Sequence, residues 1–449
     1  MRSEHHPPEV LLREGDLLIM GGRDGNSVGH FSPRISATFV QLRSHACSHA
    51  PALRTCRSGC EAAVLGNRVY LVGGFDFDVL SSVDALSLTP RHAALCAEAP
   101  ASGPHVDAGD AGVADAGSPT LLLTPAATWT PMPRLKKGRT RFGMCTLHGM
   151  LWVFGGADAE GEVISSVEVF HPESKTWLQG AAPMPTPRQG CGVAVLDGLI
   201  FVIGGTDAEG IPLSLVEVYD PVSGLWEEGQ SMQQPRERFG VAVMDGCIFV
   251  AGGFSDDGRP VDSVEVFDSS LPSVLERWSP AAGLSSPRAD LRLLITHAAA
   301  GAGTLLAERD PTVTAGTPMV LAVGGLDDNG NVVQHVECLV QGRDAWQHYL
   351  IAERGPKPLD ANTSAANARV DAEHDDEAKE VDDVVGSELE GEGQADELRE
   401  FVAREELEAR GRAGGPGRER REGPPFALTS FACVSLSWAG EVVAADGEG

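Results

Sequence analysis

Positive charge, aromatic rings and long apolar runs are all scarce in this chain. Lys and Arg total 35 against 64 Asp and Glu, a formal net charge of −29. That balance argues against nonspecific binding to nucleic acid or to anionic membranes, since both need a positive field. The longest apolar candidate for a membrane span, residues 291–307, contains Arg292 and His297 and is too short. The opening "MRSEHHPPEV" has charge, histidine and proline where a signal peptide needs an apolar core, so no targeting segment is expected. Cysteine is present in an odd number, nine. Most copies stand singly in apolar runs (Cys145, Cys191, Cys247, Cys338, Cys433), as reduced core cysteine does. These readings predict a soluble protein of a reducing compartment, the cytoplasm.

Glycine, by contrast, is abundant at 53 copies, and its placement is periodic. Glycine pairs end six apolar runs: Gly21-Gly22, Gly73-Gly74, Gly155-Gly156, Gly204-Gly205, Gly252-Gly253 and Gly324-Gly325. An acidic residue follows each pair (Asp24, Asp76, Asp158, Asp207, Asp256, Asp327), often with a turn glycine next. Then comes a short alternating strand, such as "SVEVF" at 166–170 or "LVEVY" at 215–219. A tryptophan closes the unit at Trp129, Trp177, Trp226, Trp278 and Trp346. Where nothing intervenes, the units recur at about 50 residues.

Each unit predicts two buried strands joined by a turn, an alternating strand, and a short strand bearing Trp. Paired glycines where a buried strand ends permit positive φ and close backbone approach. Asp beside the turn can accept bonds from free backbone amides, and Trp fills the space between neighbouring sheets. A repeated four-stranded sheet must be covered by the next one, and radial repetition into a β-propeller achieves this. The pattern resembles the kelch-repeat β-propeller family over roughly residues 9–90, 127–347 and 427–449.

The expected architecture is all-β, with six recognisable four-stranded blades over 1–352. A partial seventh repeat occupies 426–449, where "FACVSLSWAGEVVAADGEG" looks like a worn first half of the unit. The first repeat is expected to begin on its innermost strand around Val10–Arg13, so that the chain ends do not share a blade. The alternative is a closed six-bladed ring with the tail packed elsewhere. Residues 91–126 interrupt the second repeat between its third and fourth strands, and 298–317 separate the first two strands of the sixth. Residues 353–425, with "DAEHDDEAKE" and "SELEGEGQADE", have a composition that cannot bury a core and predict disorder, with a short helix possible around 395–410. In an up-and-down blade, 91–126 and 298–317 leave one face. The acidic segment leaves the opposite one.

That opposite face carries the candidate partner-binding residues: Arg139, Arg141, Arg188, Arg236, Arg238 and Arg288, all in inter-blade links. One reading is a patch that grips an acidic or hydrogen-bonding peptide. The other is architectural, with the arginines pairing Glu168, Glu217 and Glu265. Arg141 and Arg238 directly precede "FG" and depart from the "GCG" of the fourth repeat, which makes them the better ligand candidates. Arg134, Lys136, Lys137, Arg139 and Arg141 also form a basic cluster at 134–141, onto which the acidic stretch 371–400 could fold.

Other constellations carry little. "GNSVG" around Ser27, with His30 nearby, fits a nucleophile elbow by pattern but not by context, because no helix follows. His45, Cys47, His49, Cys56 and Cys60 lack the spacing of standard zinc ligand pairs, so no metal is expected. Asn362-Thr363-Ser364 is a glycosylation sequon by pattern alone. Copper radical oxidases of similar fold need two tyrosines, and of Tyr70, Tyr219 and Tyr349 two fall inside expected strands. The resemblance implies a noncatalytic interaction module without cofactor, presenting rim loops to a protein or peptide, in some relatives as a substrate receptor in ubiquitination. The ligase-receptor subfamily's N-terminal adaptor domain is not expected here, since the repeats start near residue 9. The alternative is a carbohydrate-acting enzyme of sugar-epimerase type, which requires carboxylate, His or Arg groups converging on the central channel.

Overall fold

The computed structural model describes residues 46–91, 127–178, 181–271, 277–297, 314, 316–333 and 335–349. It also describes short strands at 10–13, 17–20, 23–24, 37–41, 120–123, 428–429 and 432–435. Five four-stranded antiparallel blades are each cut from one stretch of chain in simple up-and-down order. Blade I comprises Glu61–Leu65, Arg68–Val72, Val83–Ser87 and Trp129–Met132. Blade II comprises Gly143–Leu147, Met150–Phe154, Val167–His171 and Thr176–Leu178. Blade III comprises Gly192–Leu196, Leu199–Ile203, Val216–Asp220 and Leu225–Glu228. Blade IV comprises Gly240–Met244, Cys247–Ala251, Val264–Asp268 and Trp278–Ala281. Blade V comprises Arg292–His297, Pro318–Val323, Val336–Val340 and Gln347–Tyr349.

Local chemistry explains the hairpins. The first two strands of blades II to IV are joined by His148-Gly149, Asp197-Gly198 and Asp245-Gly246, each with both residues at positive φ. Two left-handed residues make the turn whose twist matches the flanking strands. The register follows, as in Gly192↔Ile203 and Leu196↔Leu199. The second strand of blades I, II, III and V is buried at every residue but its first, which is why it reads as an apolar run. Outer strands meet the third strand through aromatic pairs: Phe170–Trp177 at 5.1 Å, Tyr219–Trp226 at 4.9 Å and Phe267–Trp278 at 5.3 Å between ring centroids. Each Trp Nε1 also donates to a carbonyl in the link leading out of the preceding sheet. The acceptors are Pro51, Pro133, Ala182, Gln230 and Ala282 for Trp129, Trp177, Trp226, Trp278 and Trp346. The repeated Trp therefore ties neighbouring sheets by a polar bond as well as by volume.

The expected six recognisable blades plus a partial seventh are corrected to these five complete blades. The strands assigned to the first and the last repeats instead share one sheet, in the order Ala432–Ser435, Leu17–Met20, Ala37–Gln41, Ala46–His49. The tail strand pairs with Leu17–Met20 from Leu17↔Ser435 to Met20↔Ala432, so the tail is not packed elsewhere. Arg23–Asp24 pairs with Leu428–Thr429, a second junction of the chain ends. Val10–Arg13 is not an innermost strand. It pairs with Thr120–Leu123, which pairs with Thr89–Arg91, in a separate three-stranded sheet. All four residues of Val10–Arg13 take their strand pairing from Thr120–Leu123, while the tail strand Ala432–Ser435 occupies the inner edge next to Leu17–Met20.

The inner strands lie side by side in the order 61–65, 143–147, 192–196, 240–244, 292–297, 432–435 and back to 61–65. Gly21, Gly22, Ser27, His30, His45, the bulk of 91–126 and 298–317, the whole of 353–425 and the possible helix at 395–410 lie outside the described residues.

Candidate functional site at the axial rim

Among the described residues, five inter-blade links each deliver one arginine into the protein. Arg57, Arg139, Arg188, Arg236 and Arg288 are all completely buried. Arg139 donates from NH1 to Gly155 O at 2.9 Å and Ser166 O at 3.0 Å, and from NH2 to Glu168 Oε1 at 2.6 Å. Arg236 repeats this on Gly252 O, Ser263 O and Glu265 Oε1, the last at 2.7 Å. Arg188 donates to Gly204 O and Leu215 O and pairs with Glu217 at 2.8 Å. Arg57 pairs with Asp84 at 2.7 Å, and Arg288 with Glu337. Burial pulls the guanidinium pKa of Arg139, Arg236 and Arg288 down, and the facing carboxylate opposes the pull. The carboxylates are further fixed by the link itself, since the amides of Lys136 and Lys137 donate to Glu168 and those of Gln233 and Gln234 to Glu265.

The glycine pair makes room for this unit. Gly155 and Gly156 sit at φ 60° and 96°, and Gly156 N donates to Arg188 O of the next link at 2.9 Å. A Cβ on Gly156 would meet Thr140 O at 2.6 Å, so no larger residue fits. Asp158, Asp207 and Asp327 then each accept two backbone amides of their own loop through Oδ1. In blade IV the equivalent position is Ser255 rather than the expected Asp256, with Asp257 accepting from Arg259 N.

Four of the six candidate contact residues are therefore corrected. Arg139, Arg188, Arg236 and Arg288 offer no surface to a partner, because a buried guanidinium without its carboxylate would be too costly. The sequence reading also missed Arg57. It lies 16 residues before the first glycine of its pair, as Arg139, Arg188 and Arg236 do, and that constant spacing was the available signal.

Two residues beyond each buried arginine the chain turns left-handed: Gly59, Arg141, Gly190, Arg238 and Asp290 have φ between 52° and 60°. These five positions bond in series from blade to blade. Arg141 N donates to Gly59 O, Gly190 N to Arg141 O, Arg238 N to Gly190 O and Asp290 N to Arg238 O, at 2.7–3.1 Å. They immediately precede the innermost strands and so surround the axis at one rim. Backbone geometry is shared there while side chains differ, which is how a repeat protein varies a surface without disturbing its core. Arg238 donates from Nε to Asp290 Oδ1 at 2.6 Å, pairs with Oδ2, and lies 5.0 Å from the Phe254 ring centroid. Arg141 is half-buried at the corresponding position two blades back. Asp290 was not legible as its partner from sequence, being 52 residues from Arg238. Of the basic cluster, Arg134 and Lys136 are exposed, Lys137 reaches Asp158, and Arg139 is interior. The acidic stretch 371–400 lies outside the described residues.

In comparison with known families, residues 122–289 match the KLHDC2/KLHL20/DRC7 Kelch-repeats domain and residues 56–89 match the Kelch motif.

Proposed function

We propose that this chain, a kelch-repeat β-propeller protein, is a noncatalytic protein-interaction module that presents its axial rim to a protein or peptide. One observation carries the reading: five positions of shared left-handed backbone geometry hold three kinds of residue, glycine at 59 and 190, arginine at 141 and 238, and aspartate at 290. A guanidinium suits a partner that offers carboxylates or carbonyl oxygens, and Arg238 would enter such a contact together with Asp290, which it already holds. A substrate-receptor role in ubiquitination is the narrower form of this reading and rests on the family resemblance. The enzyme alternative needs converging acid–base groups on the inner strands. Those strands are mainly Gly, Val, Ala, Met and Leu; Glu61 and Arg292 pair with each other at 2.7 Å, and His297 stands exposed at the far end of its strand.

A cytoplasmic setting fits the thiols. Burial pushes Cys60 and Cys191 up to about 11 and Cys338 and Cys433 up to about 12, so they behave as inert core groups. The acidic stretch 371–400 is proposed to compete with the partner for Arg134 and Lys136. Deleting 360–424 should then raise partner affinity at low salt and leave it unchanged at high salt.

The test is quantitative co-purification with the wild type and with an Arg141→Ala/Arg238→Ala double variant. Loss of a specific protein from a variant that melts as a folded propeller supports the rim. An identical set of partners refutes it.

A further inference from the structure

The loop joining the second and third strands of blade I departs from the pattern set by the other four. In blades II to V the amide that closes this loop donates to a carbonyl eight residues back: Ile164 to Gly156, Leu213 to Gly205, Val261 to Gly253 and Val333 to Gly325. In blade I, Leu80 donates to Gly74, six residues back. The buried ion pairs record the same deletion, since Arg57 and Asp84 are 27 residues apart where Arg139 and Glu168 are 29 apart. The long loops turn on glycine at positive φ, such as Gly161 at 80° and Gly210 at 78°. The short loop turns on Phe77, at φ 54°. Phe75 pairs with Val79 and Asp76 with Asp78, so Phe77 alone forms the tip, with 87% of its surface exposed.

Two costs coincide at this residue. A bulky side chain in the left-handed region is strained where glycine would not be. An aromatic ring held in water gains nothing from packing. Among the described residues nothing covers the ring to offset either cost, since 87% of its surface is exposed. An outside pocket would, and a ring fixed at the tip of a short paired hairpin loses little freedom when it enters one. The flanking carboxylates set the character of that pocket. Asp76 and the exposed Asp78 stand beside the ring on a chain of net charge −29, which favours a cationic edge and disfavours nucleic acid.

We propose that Phe77 anchors a second contact surface, for a protein partner whose apolar pocket is edged by Lys or Arg. The proposal rests on the interaction-module reading only in requiring a protein partner; it makes no use of Arg141 or Arg238.

The experiment places a photo-crosslinking amino acid at position 77 of the full chain and, as control, at Val222. Val222 is 85% exposed and lies on the loop before the outer strand of blade III, at the opposite face. The protein captured at 77 is then purified and titrated against wild type, Phe77→Ala, Asp76→Asn/Asp78→Asn and Arg141→Ala/Arg238→Ala. The expected result is capture at 77 and not at 222, with the crosslink mapping to apolar residues beside Lys or Arg. Affinity should fall about tenfold or more in Phe77→Ala. It should also fall with salt in the wild type and less so in the double Asn variant. Phe77→Gly should melt no lower than wild type, which separates lost contact from lost fold. Equal capture at both positions, capture only of a second copy of this chain, or unchanged affinity in Phe77→Ala overturns the proposal. Weakening by the arginine variant alone overturns the anchor and leaves the axial rim; weakening by Phe77→Ala alone does the reverse.

Discussion

Arg292 and Glu61 join across the seam where the two ends of the chain meet, with NH2 of the arginine 2.7 Å from Oε1 of the glutamate. Both residues open an innermost strand, Arg292 in blade V and Glu61 in blade I. Blades II to IV have glycine at that place: Gly143, Gly192 and Gly240. The tail strand Ala432–Ser435 touches both of these inner strands and lies between them. Arg292 also donates to Cys60 O at 3.4 Å. At this seam the ion pair thus stands where glycine opens the inner strands of blades II to IV.

Removing one partner should loosen this seam. A fully enclosed pair costs about 3–5 kcal/mol to break, and this one is partly solvated, so Arg292→Ala should cost about 1–3 kcal/mol. Exchanging the charges, Glu61→Arg with Arg292→Glu, should recover most of the loss in urea denaturation. A swapped variant no more stable than the singles would contradict the seam role.

The interior ion pairs should be less forgiving. Arg236→Leu leaves Glu265, 3% exposed, facing a hydrocarbon. The expected loss is about 3–5 kcal/mol in guanidinium chloride. Arg236→Lys should rescue little, because one ammonium cannot reach Gly252 O, Ser263 O and Glu265 together. Arg236→Leu/Glu265→Leu should be more stable than Arg236→Leu alone.

Trp226 separates packing from bonding. Trp226→Phe keeps a ring against Tyr219 and loses the 3.1 Å bond to Ala182 O, for about 1 kcal/mol. Trp226→Ala loses both and should cost about 3 kcal/mol or more, read from the thermal midpoint. Equal effects would mean that the polar tie is the whole contribution.

Blade V should respond to acid. His335 stands where Ser166 and Ser263 stand in blades II and IV, and its Nε2 lies 2.7 Å from Arg288 NH2. Glu337, Ser285 and His348 face it as well, the last with ring centroids 4.7 Å apart. Burial, and then the Arg288 charge, hold its pKa below 6.5. The unfolded chain therefore binds the proton better. Stability is level above about 6.5 and is lost as pH falls from there toward the folded-state value. His335→Ser should flatten that part of the stability–pH curve; an unchanged slope would rule His335 out as its source.

Much of this was legible because it is local. Six glycine pairs, the "VEV" strands and the spaced tryptophans dictate hairpins that cannot bury their faces alone, and the family matches agree on kelch repeats. Asp158, Asp207 and Asp327 do what aspartate before a turn is expected to do. The arginines recurred with the repeat, which left two readings open, and burial assigned four of the six to architecture. Pattern could not make that choice, since it records which residues return and not which way they point. Phe77 escaped notice because an exposed aromatic in a short loop has no periodic signature.

The sequence by itself determined the repeating sheet, because alternation, turn chemistry and glycine placement act within a few residues. Only the tertiary structure decided how the ends meet, that Arg238 answers Asp290, and that Arg292 answers Glu61. Those outcomes depend on which strand edges and charges are brought together across 52 to more than 200 residues of chain, a distance over which no local preference acts.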